Sequence, residues 1–188
     1  MFSRLFGSRR NENAEIVGKL YDSVVASARQ PVLYADWHVP DTPLGRYEMM
    51  ALHMFLFLHR TRGATGSLAG LTQELTDEFF KDVDHSLREL GIGDVGVPKR
   101  MKKLARMFYG RAESYGNAVD AGDRDALMQA LTRNILPGGE PWPHAGQMAD
   151  YVVASVAALQ TQPEERFIAG EVSYLSADSI TTQEGSAA

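Results

Sequence analysis

Residues 42–60 read TPLGRYEMMALHMFLFLHR, and this stretch decides the fold. Thr42 followed by Pro43 is typical of a helix start, because the first helical N–H has no partner and proline has no N–H to lose. The run Met49–Leu58 is apolar except for His53. A helix that is apolar on nearly all sides is buried, and this run is shorter than the roughly 20 residues of a membrane span. We therefore predict a central core helix here.

Apolar residues also recur three and four apart on both sides of this stretch, which predicts further helices. We expect helices from Asn11 or Asn13 to Pro31, Ser67 to about Leu90, Pro98 to about Asn117, Asp123 to Ile135, His144 to Gln160, and a short one after Pro163. The predicted fold is all-α, an irregular single-domain helical bundle of about six to seven helices. Residues 12–175 form the domain, 1–11 a basic segment that can be flexible, and 176–188 a disordered tail.

Composition narrows the classes of function. The 188 residues carry a net charge of −5 and no cysteine. Disulfides, thiolate metal sites and cysteine nucleophiles are therefore excluded, and the charge balance gives no reason to expect DNA as a partner. The N-terminus lacks the apolar region of a secretory signal. We expect neither a secretory signal nor a long transit peptide.

The sharpest local feature is a basic amphipathic helix within residues 98–111, PKRMKKLARMFYGR. Met101, Leu104 and Phe108 share one face, and the basic residues lie opposite. We predict that this basic face docks onto an acidic protein, ribosomal RNA or anionic lipid. Its residues are Lys99, Arg100, Lys102, Lys103, Arg106 and Arg111. The alternative is a solvated face joined to the acidic preceding helix by weak surface ion pairs.

The first ten residues combine apolar and basic side chains. A membrane contact here would bury the apolar residues in the interface and bring the arginines to lipid phosphates. These residues are Phe2, Arg4, Leu5, Phe6, Arg9 and Arg10. The alternative is a frayed terminus.

No catalytic or metal centre is predicted from the sequence, and no cofactor is expected. His53 and His59 are six residues apart, about 120° around a helix axis, so they cannot chelate one metal from that helix. A lone histidine on an apolar helix is more often a core residue than a metal or haem ligand. The glycines of Gly91–Gly96 are typical of a helix end and turn. No pattern supplies a nucleophile with a base, so we expect no enzyme; the alternative is a helical enzyme with an unrecognised pocket.

Two long stretches resemble the ubiquinol–cytochrome c chaperone family. Trp37–Arg60 matches the pattern W-x-x-P-D-T-x-x-G-R-Y-E-M-x-x-L-H. Leu75–Asn134 contains DEFFKDVDHSLRELGIGD, VPKRMKK and FYGR, and ends with L-x-x-A-L-x-R-N. With the weaker stretch Met148–Leu159, the resemblance covers about Ala14–Gln160. Several long motifs in the same order are more specific than one short pattern.

The resemblance implies a chaperone of the bc1 complex that binds newly made cytochrome b. Mitochondrial relatives associate with the ribosome near the tunnel exit and with a small partner protein. A chain that begins almost directly with its helical domain resembles a bacterial member. We would expect such a member at the cytoplasmic side of the inner membrane, as a peripheral protein, where an anionic membrane surface is a further partner.

An apolar groove beside the central helix would suit a client helix, since methionine adapts to varied partners. Its predicted lining is Trp37, Met49, Met50, Met54 and Phe57. The second functional hypothesis is a peripheral membrane or lipid-binding helical module, which rests on the basic amphipathic segments.

Overall fold

The computed structural model describes residues 2–89 and 97–180, and the side chains of residues 12–89, 99 and 101–180. Within these ranges the chain forms eight α-helices and no strand, which confirms the all-α bundle. The helices are α1 (Phe2–Ala28), α2 (Pro31–Ala35), α3 (Pro43–Arg60), α4 (Gly66–Glu89), α5 (Val97–Ala121), α6 (Arg124–Ile135), α7 (Ala145–Gln160) and α8 (Glu164–Ile168). The predicted glycine loop at residues 91–96 lies outside the described residues.

Two helix boundaries differ from the sequence prediction. The first helix begins at Phe2, so Asn13 lies inside it and donates to the Glu74 carboxylate instead of capping. Pro31 ends α1 as predicted, but it also occupies the start of the short helix α2. A proline is tolerated there because that N–H would have no helical partner, and α2 is the helix that the sequence did not reveal.

Helix α3 is the central element, as predicted. The Thr42 hydroxyl accepts a hydrogen bond from the Gly45 N–H at 3.2 Å and caps the helix. Ten of its 18 residues are buried, and α3 contacts α1, α5, α6 and α7. A helix surrounded on four sides cannot present a wide polar face, which explains its nearly uninterrupted apolar sequence.

Gly45 allows the loop before α3 to fold back onto the helix. A Cβ atom at this position would overlap the backbone carbonyl of Pro40. The same carbonyl accepts a 2.8 Å hydrogen bond from the Thr42 N–H. Only glycine leaves room for so close a backbone approach, so the Pro-Asp-Thr-x-x-Gly spacing has a steric reason.

The second half of α4 and the first part of α5 are less buried than the rest of these two helices. From Phe80 to Glu89, and among the described side chains from Lys99 to Met107, no side chain is fully buried. We call residues 80–89 and 97–107 the α4–α5 arm. Its apolar side chains, such as Val83, Leu87 and Leu104, are half-buried.

The C-terminal segment packs on the core for longer than expected. Disorder was predicted from Ser176, yet Ala177 is fully buried, and its N–H donates to the Gln30 side-chain oxygen at 2.7 Å. The side-chain amide of Gln30 also donates to the Tyr151 hydroxyl. Gln30 therefore holds the chain around Ala177 against the core. The described range ends at Ile180, and residues 181–188 lie outside it.

Candidate functional site

The basic face of α5 is exposed along the arm. Lys99, Lys102, Lys103 and Arg106 are all solvent-exposed, while Phe108 on the opposite face is buried. This arrangement follows the 3.6-residue period that the sequence predicted. The side chain of Arg100 lies outside the described residues. We call these four exposed residues the basic face.

The acidic side chains of α4 do not neutralise the basic face. In the described part of the chain, their charged partners lie on α4 itself, as in the Lys81–Glu78 and Arg88–Asp84 pairs. No ion pair joins the four residues of the basic face to any described acid. The described residues therefore do not form the alternative arrangement, in which ion pairs with α4 occupy the basic face.

Arg111 belongs to the interior, which corrects its predicted docking role. Its guanidinium donates to the Glu48 carboxylate at 2.6 Å, and the two side chains are only 10% and 1% exposed. Arg111 lies three residues after Phe108 and four before Tyr115, both of which are buried. That spacing places it on the buried side of α5.

Glu48 is the buried partner of this pair on α3. Burial raises the pKa of Glu48 to about 7, and the nearby Arg111 guanidinium acts against that rise. Breaking such a pair leaves an uncompensated charge in the interior. The pair thus connects the base of α5 to the central helix.

The predicted client groove is filled by core packing. Trp37, Met49, Met54 and Phe57 are buried, each with 1% or less of its surface exposed, and Met50 is half-buried. An apolar run on a central helix is used for packing against α1 and α7, so these side chains do not line an open groove. The sequence alone cannot distinguish a client groove from a packed core, because both are lined by apolar side chains.

His53 is likewise a core residue. Its Nδ1–H donates to the Met49 carbonyl at 2.8 Å, and its Nε2 accepts from the Tyr151 hydroxyl at 2.8 Å. Burial lowers the pKa of His53 to about 4, which keeps the ring neutral. With both nitrogens occupied, His53 offers no lone pair to a metal or haem. Among the described side chains, no group of three or more histidines and carboxylates is placed to hold a metal ion.

The sequence analysis missed Tyr109. This side chain is 51% exposed, and it follows Arg106 by three residues and Lys102 by seven, so the three share one face of α5. It also borders a groove of about 240 Å³ between the end of α3 and α4, whose other walls include Leu58, Thr72 and Thr76. The sequence pattern that could have revealed it is an aromatic residue spaced three and seven positions after basic residues, on the same helical face.

The predicted N-terminal membrane contact is not tested, because the side chains of residues 2–11 lie outside those described. Within the described helices, none is both long enough and apolar enough to cross a membrane.

Comparison with known proteins identifies the family to which the chain is similar. The family profile described as ubiquinol-cytochrome C chaperone matches residues 35–174. A solved structure, the crystal structure of the Cbp3 homolog from Brucella abortus, is 56% identical. The alignment covers 95% of this chain and 98% of that one, with a TM-score of 0.88. No curated protein sequence matches the chain.

Proposed function

The chain belongs to the ubiquinol–cytochrome c chaperone family, and from this premise we propose that it binds newly made cytochrome b and assists its assembly into the bc1 complex. The family match supports a protein partner within that complex. A chaperone needs an accessible surface and a stable body, and it needs no catalytic centre. The single observation that carries the proposal is the family match over residues 35–174.

The surface that we propose for docking is the basic face together with Tyr109. It offers unpaired positive charge beside an exposed aromatic ring and half-buried apolar residues such as Leu104. Arginine and tyrosine are enriched where proteins bind one another. A client that is made at the membrane brings two anionic surfaces close, the ribosome and the lipid headgroups, and the basic face would suit both.

This function would place the protein at the cytoplasmic side of the inner membrane, as a peripheral protein. The ribosome near the tunnel exit and the anionic membrane surface are the proposed sites of encounter with cytochrome b.

A peripheral lipid-binding module is the second candidate, and the exposed charge of Lys102 and Arg106 favours it. Flotation with anionic vesicles, read beside the crosslinked capture of cytochrome b, separates the two functions. A lipid-binding module would float in the absence of any client and would not capture cytochrome b, whereas a chaperone would capture it.

The deciding experiment is a crosslinked pull-down from a bacterium that makes a bc1 complex, with mass spectrometry of the captured proteins. We expect cytochrome b to be enriched over other membrane proteins. The Lys102→Glu/Arg106→Glu variant should capture at least tenfold less. The absence of cytochrome b from the crosslinked wild-type sample would overturn the proposal.

A matched control uses two other exposed arginines, Arg29 and Arg133, which lie outside the arm. The Arg29→Glu/Arg133→Glu variant changes the net charge by the same amount. It should capture cytochrome b as the wild type does. An equal loss in both variants would mean that overall charge, and not this face, governs the encounter.

A further inference from the structure

Two histidines that are distant in sequence meet beside the start of α7. Nδ1 of His38 lies 3.1 Å from Nε2 of His144, although the residues are 106 positions apart. His38 is exposed and His144 is half-buried, so solvent ions can reach the pair. We propose that His38 and His144 chelate a divalent transition-metal ion, of the class of Zn²⁺, Ni²⁺ or Cu²⁺.

The separation of the two nitrogens suits a shared metal ion. With metal–nitrogen bonds of about 2.0–2.1 Å, two neighbouring ligand nitrogens are about 2.9 Å apart at a right angle and about 3.3–3.4 Å apart at the tetrahedral angle. The separation of 3.1 Å lies between these two values. The ring centroids are 5.0 Å apart and the ring planes are tilted by 60°. A straight N–H···N hydrogen bond at this nitrogen separation would hold the centroids farther apart. The pair is therefore bent relative to a straight hydrogen bond, and a metal ion shared by the two rings would require such a bend.

Gln147 supports the orientation of the His144 ring. Its side-chain oxygen lies 2.6 Å from Nδ1 of His144, and an amide oxygen only accepts hydrogen bonds. The tautomer that donates from Nδ1 to this oxygen leaves a lone pair on Nε2 for a metal ion. An oxygen that accepts from the second ring nitrogen is the usual support of a metal-bound histidine.

The backbone holds His38 in place at a cost. Its φ angle is 57°, a left-handed conformation that is uncommon outside glycine, although histidine adopts it more often than most residues. The residues on either side are anchored: Trp142 donates its indole N–H to the Trp37 carbonyl at 2.8 Å, and the Val39 N–H donates to Leu33 at 3.0 Å. Strained residues held by such surroundings are concentrated at binding sites.

The bound ion would link the loop before α3 to the start of α7. Metal binding needs both facing nitrogens deprotonated, so the exposed His38 ring would carry its proton on Nε2, with water as partner. Water would complete the coordination, since only two side chains of the described structure converge here. This inference is independent of the proposed function in cytochrome b binding.

Isothermal titration of untagged full-length protein with Zn²⁺ in a non-chelating buffer tests the site. We expect one saturable equivalent, and electron paramagnetic resonance of the Cu²⁺-loaded protein should show two imidazole nitrogens. His38→Asn, chosen because asparagine tolerates the left-handed conformation, and His144→Gln should each weaken Zn²⁺ binding at least tenfold. The absence of a saturable equivalent would overturn the proposal.

Two further variants separate chelation from general effects. His85 also faces a possible ligand, Glu89 at 3.3 Å, so His85→Gln removes a comparable exposed pair elsewhere; its binding should equal that of the wild type. Gln147→Ala keeps both ligands but removes the support of His144, and it should weaken binding about tenfold. If binding persists in both the His38 and His144 variants, or fails equally in the His85 variant, the ion binds elsewhere.

Discussion

The core helices α3 and α7 and the α4–α5 arm are all helical, yet they bury very different fractions of their side chains. Ten of the 18 residues of α3 and eight of the 16 of α7 are buried, whereas the described arm has no fully buried side chain. Burial of one large apolar side chain stabilises a protein by about 1.5–3 kcal/mol. Stability therefore resides in the core, and the arm is a surface supported by it.

This difference indicates a division of work between folding and binding. In the core, each side chain is constrained by several neighbours, so most changes reduce stability. In the arm, charges and half-buried apolar groups can be selected for a partner with little effect on folding. The predictions below test how sharply the two regions are separated.

The largest expected effect is the loss of a core ring. Phe57 is fully buried and packs against Phe167 with ring centroids 5.7 Å apart. Phe57→Ala should lower the free energy of unfolding by about 3–5 kcal/mol, because it leaves a cavity. Leu104→Ala in the arm should cost only about 1 kcal/mol. Urea unfolding followed by circular dichroism measures both, and equal losses would remove the distinction between core and arm.

Two glycines with different surroundings test how far steric contact with the backbone limits substitution. Gly45→Ala would force its new Cβ into the Pro40 carbonyl, and we expect a loss of about 3 kcal/mol. Gly110 lies within α5, with nothing near its would-be Cβ. Gly110→Ala should therefore stabilise the protein by about 0.5–1 kcal/mol through helix propensity. Thermal unfolding of both variants checks the opposite signs, and a stable Gly45→Ala protein would contradict the steric argument.

Most helices and the exposed basic face were predictable, because both depend on local periodicity. Thr42 caps α3 as predicted, and the Asp123 side chain caps α6 by accepting from the Ala126 N–H. Arg111 was predictable too, since its spacing from Phe108 and Tyr115 places it on the apolar side. Its charge alone is the reason that it stands among the predicted docking residues.

Other features required tertiary information. The pairing of Glu48 with Arg111 joins two helices, and the meeting of His38 and His144 joins distant loops; no local pattern specifies either contact. The methionines of α3 fit a client groove and a core equally well by composition. Only their position between α1 and α7 decides that they are core residues.

The Glu48–Arg111 pair lies where the two regions join, and it should respond to pH. The pKa of Glu48 in the fold is about 7, above its ordinary value near 4.5, so the folded state binds the proton more tightly. This carboxyl group therefore makes the protein less stable as pH rises from about 4.5 to about 7. The size of the effect is about 2–3 kcal/mol.

Glu48→Gln removes this titration while it keeps the shape of the side chain. The difference in unfolding free energy between wild type and Glu48→Gln, measured by urea denaturation from pH 5 to pH 8, should shift against the wild type as pH rises. Parallel stability curves for the two proteins would mean that Glu48 titrates normally in the fold.

The smallest expected effect on stability is at Tyr109, where the arm joins the core. Its ring is 51% exposed and contacts Phe80 and Phe108 with centroids 6.1 and 5.2 Å away. Tyr109→Ser should cost at most about 1 kcal/mol of unfolding free energy. If the face that it shares with Lys102 and Arg106 docks cytochrome b, crosslinked capture should nevertheless fall at least tenfold, because exposed aromatic anchors dominate interfaces. Tyr109→Phe keeps the ring and should retain most of the capture. If Tyr109→Ser is stable and captures cytochrome b normally, the docking surface lies elsewhere. Its stability would still show that side chains of the arm contribute less to folding than those of the core.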